Sequence, residues 1–386
     1  MNNRKLKILQ VIDYFSPKLG GPVHNIYNLS VKLKKFGHDV TVCSSDFQYD
    51  PAFPPVSSGI DVKIFPCVGP FKYSPAMKGW LEKNISGFDV AHANNYWNYQ
   101  NVVLRRAAVK NHVPYIISPR GSLPIQMKSF LIKSVFDRYF GQKVLDSASV
   151  IIGTTGMEVE QILAKKQSRE KAMLIPNAVN LPPKDLDSPA DFRDKYGIPE
   201  GDDIILFFGR IHKIKGVDLL AEAFSRIARS RKNVTLVVAG PDDGMVDDIK
   251  RIVSDNGAAD KVVFTGPLYG RDKYSAYSAA TVYVLPSRYE IFGNTILEAC
   301  SCSVPVVITD RCGIAPVIAG RAGEVVGFEI DAVSGALDKL LNDPELRRRY
   351  GMAGRRIVED DYTWDKIAGQ FENVYRSVIE KNKKRD

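Results

Sequence analysis

Cysteine is scarce: five residues in a chain of 386, and no two of them form a CxxC pair. So thin a set excludes a disulfide scaffold and fits reduced thiols in a cytoplasmic protein. No His, Cys or Asp cluster has metal-ligand spacing, since Cys300 and Cys302 have no partners, so neither a metal nor a cofactor is expected. The opening "MNNRKLKILQVIDYF" is basic, but its apolar run is too short for a signal peptide. No window reaches the roughly 18 apolar residues of a membrane span. Contact with the inner face of a membrane is left open. Internal repeats and low-complexity segments are missing too, which excludes solenoid and fibrous classes.

What remains is an ordinary globular composition, 45% hydrophobic and 25% charged, with a formal charge of +9 that favours anionic partners. The length exceeds what one hydrophobic core serves, so two domains are expected. Short β-branched runs alternate with helical patterns. "KILQVI", "DVTVCS", "DVAHA", "PYIISP", "SVIIGT" and "AMLIPN" fill the first half, and "IILFFG", "VTLVVAG", "VVFTG", "TVYVLPS" and "PVVITD" the second. Continuous runs of this kind read as buried parallel strands. Between Val23 and Phe36 the period changes to that of a helix, with Ile26, Leu29, Leu33 and Phe36 on one face. A Pro- and Asp-rich stretch at 176–192 separates the two sets as a linker would. The predicted fold is α/β: two doubly wound Rossmann-like domains, 1–178 and 179–362, facing across a cleft, with a last helix in 363–386.

Three constellations can carry chemistry. In "KLGGPVHNI", Gly20 and Gly21 follow the first strand and open a helix, where backbone N–H groups suit a phosphate; a plain chain-reversing turn explains them equally well. The stretch is not GxGxxG and lacks the dinucleotide acid, so a dehydrogenase is disfavoured. In "FFGRIHKIKG", Arg210 and Lys215 lie beyond a strand end and pair a planar fork with a point charge, as a diphosphate requires. A solvated basic loop is the competing explanation.

The third is "PSRYEIFGNTILEA", with Glu290 and Glu298 in a Glu-x7-Glu spacing. A helix starting near Phe292 would leave the N–H groups of Phe292, Gly293, Asn294 and Thr295 for an oxyanion. Glu298 would lean back toward the same ligand. Ionised carboxylates only accept hydrogen bonds, and vicinal diols donate them. Phosphates flanked by hydroxyls on both sides describe a nucleotide sugar. The alternative is one acid on a helix dipole and a second that is unrelated.

Together with "IPNAVN" and "SPRGSL", these motifs resemble the large family-four group of retaining glycosyltransferases of GT-B fold, from about Leu6 to Trp364. The resemblance implies that Glu298 binds the ribose, that Glu290 approaches the donor sugar or its phosphate, and that Arg210 and Lys215 clamp the diphosphate without a metal. It implies that the Gly20–Gly21 turn approaches the same phosphates from the other domain, and that the last helix packs back on the first domain. It further implies a UDP- or GDP-sugar donor and a hydroxyl acceptor on a glycan or lipid-linked saccharide, in surface polysaccharide or lipopolysaccharide synthesis. Nucleic acid is not an expected partner.

The chain departs from many relatives at Arg120 of "SPRGSL", where a His is commoner. Arg cannot serve as a base at neutral pH, so an anion-binding catalytic role is expected of it. His92, Asn94, Asn95 and Trp97 of "DVAHANNYW" are acceptor-side candidates; a lone His at a strand end is also a common structural residue. A last feature is 123–145, where Phe130, Leu131, Val135 and Tyr139 alternate with Lys128, Lys133, Arg138 and Lys143. Residues 102–172 carry 12 Lys and Arg against five Asp and Glu. An anionic lipid contact and a helix with a basic solvated face both fit. Two other functions stay open: a sugar-nucleotide epimerase of the same fold, and a silent nucleotide-sugar-binding protein.

Overall fold

The structure, a computed structural model, describes residues 4–16, 20–53, 58–124, 130–186 and 188–384. Lys18 and Leu19 of the first glycine motif, and Lys128 of the basic segment, lie outside them. The chain divides into two compact units, one of residues 1–178 with 364–386 and one of 179–363.

The first unit carries seven parallel strands: β1 Lys7–Val11, β2 Asp39–Ser45, β3 Asp61–Phe65, β4 Val90–Asn94, β5 Tyr115–Ser118, β6 Val150–Gly153 and β7 Ala172–Leu174. Their order is β3-β2-β1-β4-β5-β6-β7. The central strands are buried on both faces, which is why β5 and β6 read as short apolar runs. The strand order reverses between β1 and β4, so the loops after these two splay apart and leave room at their carboxyl ends. Asp13, Asn94 and Asn95 stand there.

The Trp364–Lys383 helix belongs to this unit. It buries Ile367, Phe371, Val374, Tyr375 and Val378, a three-and-four stripe, against Ile8, Val90, Ile116 and Ile152 of the sheet. Each such side chain contributes about 1.5–3 kcal/mol of burial, so the helix is part of this core rather than an appendage.

The second unit carries six parallel strands: β8 Asp203–Phe208, β9 Val234–Ala239, β10 Val262–Gly266, β11 Val282–Leu285, β12 Val306–Thr309 and β13 Gly323–Val326. Their order is β10-β9-β8-β11-β12-β13, with the reversal between β8 and β11. All eleven expected strands form. Two more, β3 and β13, were not expected; both are short edge strands with half-exposed residues, so no continuous apolar run marks them.

Candidate active site

In the second unit the two motifs beside the β8–β11 reversal are brought together by backbone shape. "GRIHKIKG" leaves β8, makes one tight turn at Lys213–Lys215 and reaches Gly216, whose φ of +69° suits glycine. A Cβ at Gly216 would stand 1.9 Å from the Pro286 carbonyl oxygen, so only glycine admits this approach to "PSRYE". Arg288 fastens the contact. Its backbone N–H donates to the Ile214 carbonyl at 2.8 Å, and its guanidinium grips Asp218 with both forks, at 2.8 and 2.7 Å.

That packing sets Lys215 Nζ directly on Glu290 Oε2, with both side chains mostly buried. Glu290 is itself pinned, its carbonyl accepting from Gly313 N–H at 2.8 Å. Burial, with the Glu290 charge as the next cause, pushes the nearby Cys312 thiol up to about 12, so it is no nucleophile at neutral pH. Arg210 is elsewhere in detail: it is exposed and its Nη1 donates to Asp243 Oδ2 at 2.6 Å.

The helix after Glu290 begins at Asn294, two residues later than the expected start at Phe292. Gly293 is the reason. It takes a left-handed φ of +76° as the cap residue, and its carbonyl accepts the first helical bond, from Ile296 N–H at 2.9 Å. Phe292 is therefore buried before the helix, its ring 6.2 Å from that of Tyr362. Thr295 accepts the buried Tyr283 hydroxyl at 2.7 Å.

Glu298 lies one turn into the helix, and its carboxylate accepts Lys273 Nζ at 2.8 Å and the Tyr277 hydroxyl at 3.1 Å. Burial, then the Glu298 charge, holds the Tyr277 phenol well above its usual range, so it donates as a neutral hydroxyl. Sequence reasoning misses Lys273 and Tyr277. They sit four apart on the Gly270–Ala279 helix, a spacing that puts both on one face, yet nothing in that helix alone says which face meets Glu298.

In the first unit, Gly20 has a φ of +94° and caps the Gly21–Lys35 helix without a side-chain partner, and a Cβ there would meet no described atom within 4 Å. At the β1–β4 reversal the polar side chains form a connected set. Asn95, at a strained φ of +61°, donates to Asp13 Oδ1 at 2.8 Å, and Lys72 Nζ reaches Asp13 Oδ2 at 2.7 Å. Asn94 donates to Gln10 Oε1 at 3.0 Å, and Gln10 in turn donates to the Tyr375 hydroxyl. His92 is fully buried, its Nδ1 2.8 Å from the Tyr375 hydroxyl and its Nε2 2.8 Å from Ser118 Oγ. Burial, then the Arg120 charge, holds this imidazole well below its ordinary pKa, so it is neutral.

Arg120, at a φ of +53°, turns into the same network. Its Nε donates to Asn94 Oδ1 at 3.0 Å and its Nη1 to Asn177 Oδ1 at 3.1 Å. Burial lowers its pKa to about 10, partly offset by the Glu158 carboxylate, so it stays charged. Glu158 accepts from the Gly121 and Thr154 N–H groups, which fixes the loop that carries Arg120. Trp97 donates its indole N–H to the Ser122 carbonyl and carries Lys133 and Lys165 over its ring, at 5.7 and 5.5 Å. Among the described residues, no group of three or more His, Cys, Asp or Glu could hold a metal ion, and no helix is long and apolar enough to cross a membrane.

Two Rossmann-like α/β units of parallel sheet define the GT-B architecture, and solved structures share it. A glycosyltransferase from Rickettsia africae has a TM-score of 0.81 at 18% identity, over 97% of this chain and 99% of that one. HepE of Anabaena, solved with UDP and glucose, has a TM-score of 0.77 at 19% identity, over 96% and 100%. Two family models match in turn, the glycosyl transferase 4-like domain over residues 20–178 and the glycosyl transferases group 1 over 189–357. The chain belongs to the group 1 glycosyltransferases, and it is a transferase. An uncharacterized glycosyltransferase of Methanocaldococcus jannaschii is 26% identical over 97% of this chain and 99% of its own. A D-inositol 3-phosphate glycosyltransferase of Streptomyces avermitilis is 26% identical over 80% and 69%.

Proposed function

We propose that the protein transfers a sugar, with retention, from a UDP- or GDP-sugar to a hydroxyl of a glycan or a lipid-linked saccharide, in the assembly of a surface polysaccharide or lipopolysaccharide. The observation that carries this reading is the pairing of each carboxylate of the Glu-x7-Glu motif with a lysine, Lys215 on Glu290 and Lys273 on Glu298. Such a site offers acceptors for sugar hydroxyls and cations for a diphosphate within the same few residues.

In the reaction, the bond from the anomeric carbon to the diphosphate oxygen breaks, and the nucleoside diphosphate leaves with the electron pair. Arg210, Lys215 and the backbone N–H groups at the Asn294–Ser301 helix start stabilise that charge, with no metal needed. The acceptor hydroxyl oxygen attacks the same face, and its proton passes to the departing phosphate oxygen. Glu298 holds the ribose and Glu290 the donor sugar. Gly20 and Gly21 are a backbone approach to phosphate. Asn94, Asn95, Trp97 and Arg120 serve the acceptor side, with His92 as their buried support.

The test is incubation with UDP-, GDP- and ADP-sugars, with and without candidate acceptors, and proton NMR of the anomeric signal. Acceptor-dependent release of nucleoside diphosphate with a retained anomeric configuration is expected. Interconversion of the free donor would show an epimerase, and binding without turnover a silent binding protein.

A further inference from the structure

The segment 130–147 of the first unit has an inner face that is packed and an outer face that is not. Inside, Phe136 is buried, its ring 5.7 Å from Trp97, 6.1 Å from Tyr96 and 6.4 Å from Phe71. Gly141 lies so close to Tyr96 that a Cβ would stand 2.3 Å from its hydroxyl. Outside, Leu131 is 77% exposed, Ile132 51%, Val135 56% and Tyr139 57%. Residues 131, 135 and 139 repeat every four, so with Ile132 they form one apolar stripe along the Phe130–Phe136 helix and the turn after it. Among the described residues of the unit nothing covers the stripe, and a soluble monomer rarely leaves such a contiguous patch bare.

The charges around the stripe select its occupant. Arg138 and Lys143 are exposed beside it, and Lys133 lies half-exposed over the Trp97 ring. The acids of the segment are engaged with their own neighbours. Asp137 is turned inward and accepts from the Tyr96 hydroxyl at 2.6 Å and from Lys165, while Asp146 accepts from Gln142 and Gln167, both at 2.8 Å. An apolar stripe with exposed basic neighbours and occupied acids matches an anionic lipid surface, with acyl chains against Leu131 and Val135 and headgroups against Arg138 and Lys143. A second copy fits worse, because a two-fold interface would set the same arginine and lysine against their own images.

We propose that the Leu131–Ile132–Val135–Tyr139 stripe, flanked by Arg138 and Lys143, docks the protein on an anionic lipid surface. The inference stands apart from the reaction, though it would place the enzyme where lipid-linked acceptors reside. The experiment is co-sedimentation of the full chain with vesicles of phosphatidylcholine alone and of phosphatidylcholine mixed with phosphatidylglycerol, at low and high salt. Binding to the mixed vesicles only, weakened by salt, is expected. The Leu131→Ser/Val135→Ser double variant should bind about tenfold more weakly or worse. Arg138→Glu with Lys143→Glu should lose at least roughly fivefold for each basic residue removed. Both variants should keep the wild-type circular dichroism and nucleoside diphosphate affinity. Wild-type protein that ignores phosphatidylglycerol, or variants that bind like wild type, would overturn the proposal. So would a wild-type dimer in sedimentation velocity that Leu131→Ser/Val135→Ser converts to monomer. Vesicle binding that persists in a protein without transfer activity would instead count against the sugar-transfer reading alone.

Discussion

Lys273 Nζ stands 2.8 Å from Glu298 Oε1, and the Tyr277 hydroxyl occupies the other carboxylate oxygen from the next turn of the same helix. The carboxylate is thus aimed before any ligand arrives, which reduces the ordering a bound ribose has to impose. Removing it should cost a charged hydrogen bond, about 1.5–3 kcal/mol. Glu298→Ala is expected to weaken nucleoside diphosphate binding by roughly 10- to 100-fold in calorimetric titration, with the fold intact. Lys273→Met should weaken it less, since Tyr277 still holds one oxygen. Affinity unchanged in the Glu298 variant would remove this residue from the donor site.

Gly216 offers a backbone test. Its left-handed φ alone makes alanine unfavourable by about 1–2 kcal/mol. The 1.9 Å approach to the Pro286 carbonyl adds a clash with backbone that cannot step aside. Gly197 is the control, with a φ of +64° and nothing within 4 Å of where a Cβ would stand. Gly216→Ala should lower the urea midpoint clearly more than Gly197→Ala and disturb the Lys215–Glu290 pair. Equal losses would show that the close approach carries no energetic weight.

Much of this is legible in the chain because parallel strands of this kind write themselves as short apolar runs between turn residues, and eleven of the strands carry one. Strands β3 and β13 escape because Lys63 interrupts the first and Gly323 and Glu324 open the second, so neither presents an apolar run. At the site, glycines and acids at fixed spacing are visible, but their partners are not. The Lys215–Glu290 and Lys273–Glu298 pairs join residues 75 and 25 positions apart, and long-range pairing leaves no local periodicity. The start of the Asn294–Ser301 helix falls two residues later than its pattern suggests because Gly293 reads as an interior residue unless its positive φ is known.

Neutralisation of the diphosphate by Arg210 and Lys215 predicts that turnover survives EDTA. Arg210 is exposed and, among the described residues, pairs with the exposed Asp243, a pair of little stability worth, so it can exchange that partner for phosphate. Initial rates with and without chelator decide the matter. Loss of activity that magnesium or manganese restores would contradict this account of the phosphate site.

Acid should destabilise the fold through His92. Its folded-state pKa is depressed below the ordinary value near 6.5, by burial first and the Arg120 charge second. The unfolded chain therefore binds the proton first, and stability is complete above that value and lost as pH falls from it toward the folded-state one. His38 is shifted in the same direction by burial, against an opposing pull from Glu372. Thermal midpoints should fall between about pH 7 and about pH 5, and His92→Gln should start lower but decline less steeply. Parallel slopes for variant and wild type would show that another group drives the acid transition.

Arg120 is where sequence and structure pull in two directions. As a permanently charged fork at the end of β5, it suits an anion, yet its Nε and Nη1 are already engaged by the Asn94 and Asn177 side chains. Both uses coexist if those amides aim the guanidinium and leave Nη2, which makes no hydrogen bond among the described residues, to meet the ligand. Arg120→Ala should then do two separable things. It should lower stability by about 1–3 kcal/mol, since Asn94 and Asn177 lose a buried donor. It should also lower turnover by roughly 10²-fold, as loss of one charge-stabilising donor does. Arg120→His should restore neither, because an imidazole cannot span both amides. Urea denaturation and steady-state kinetics on the same preparations separate the effects. A variant that is destabilised but turns over like wild type, assayed well below its unfolding midpoint, would make Arg120 a purely structural member of the Gln10–Asn94–Tyr375–His92 network.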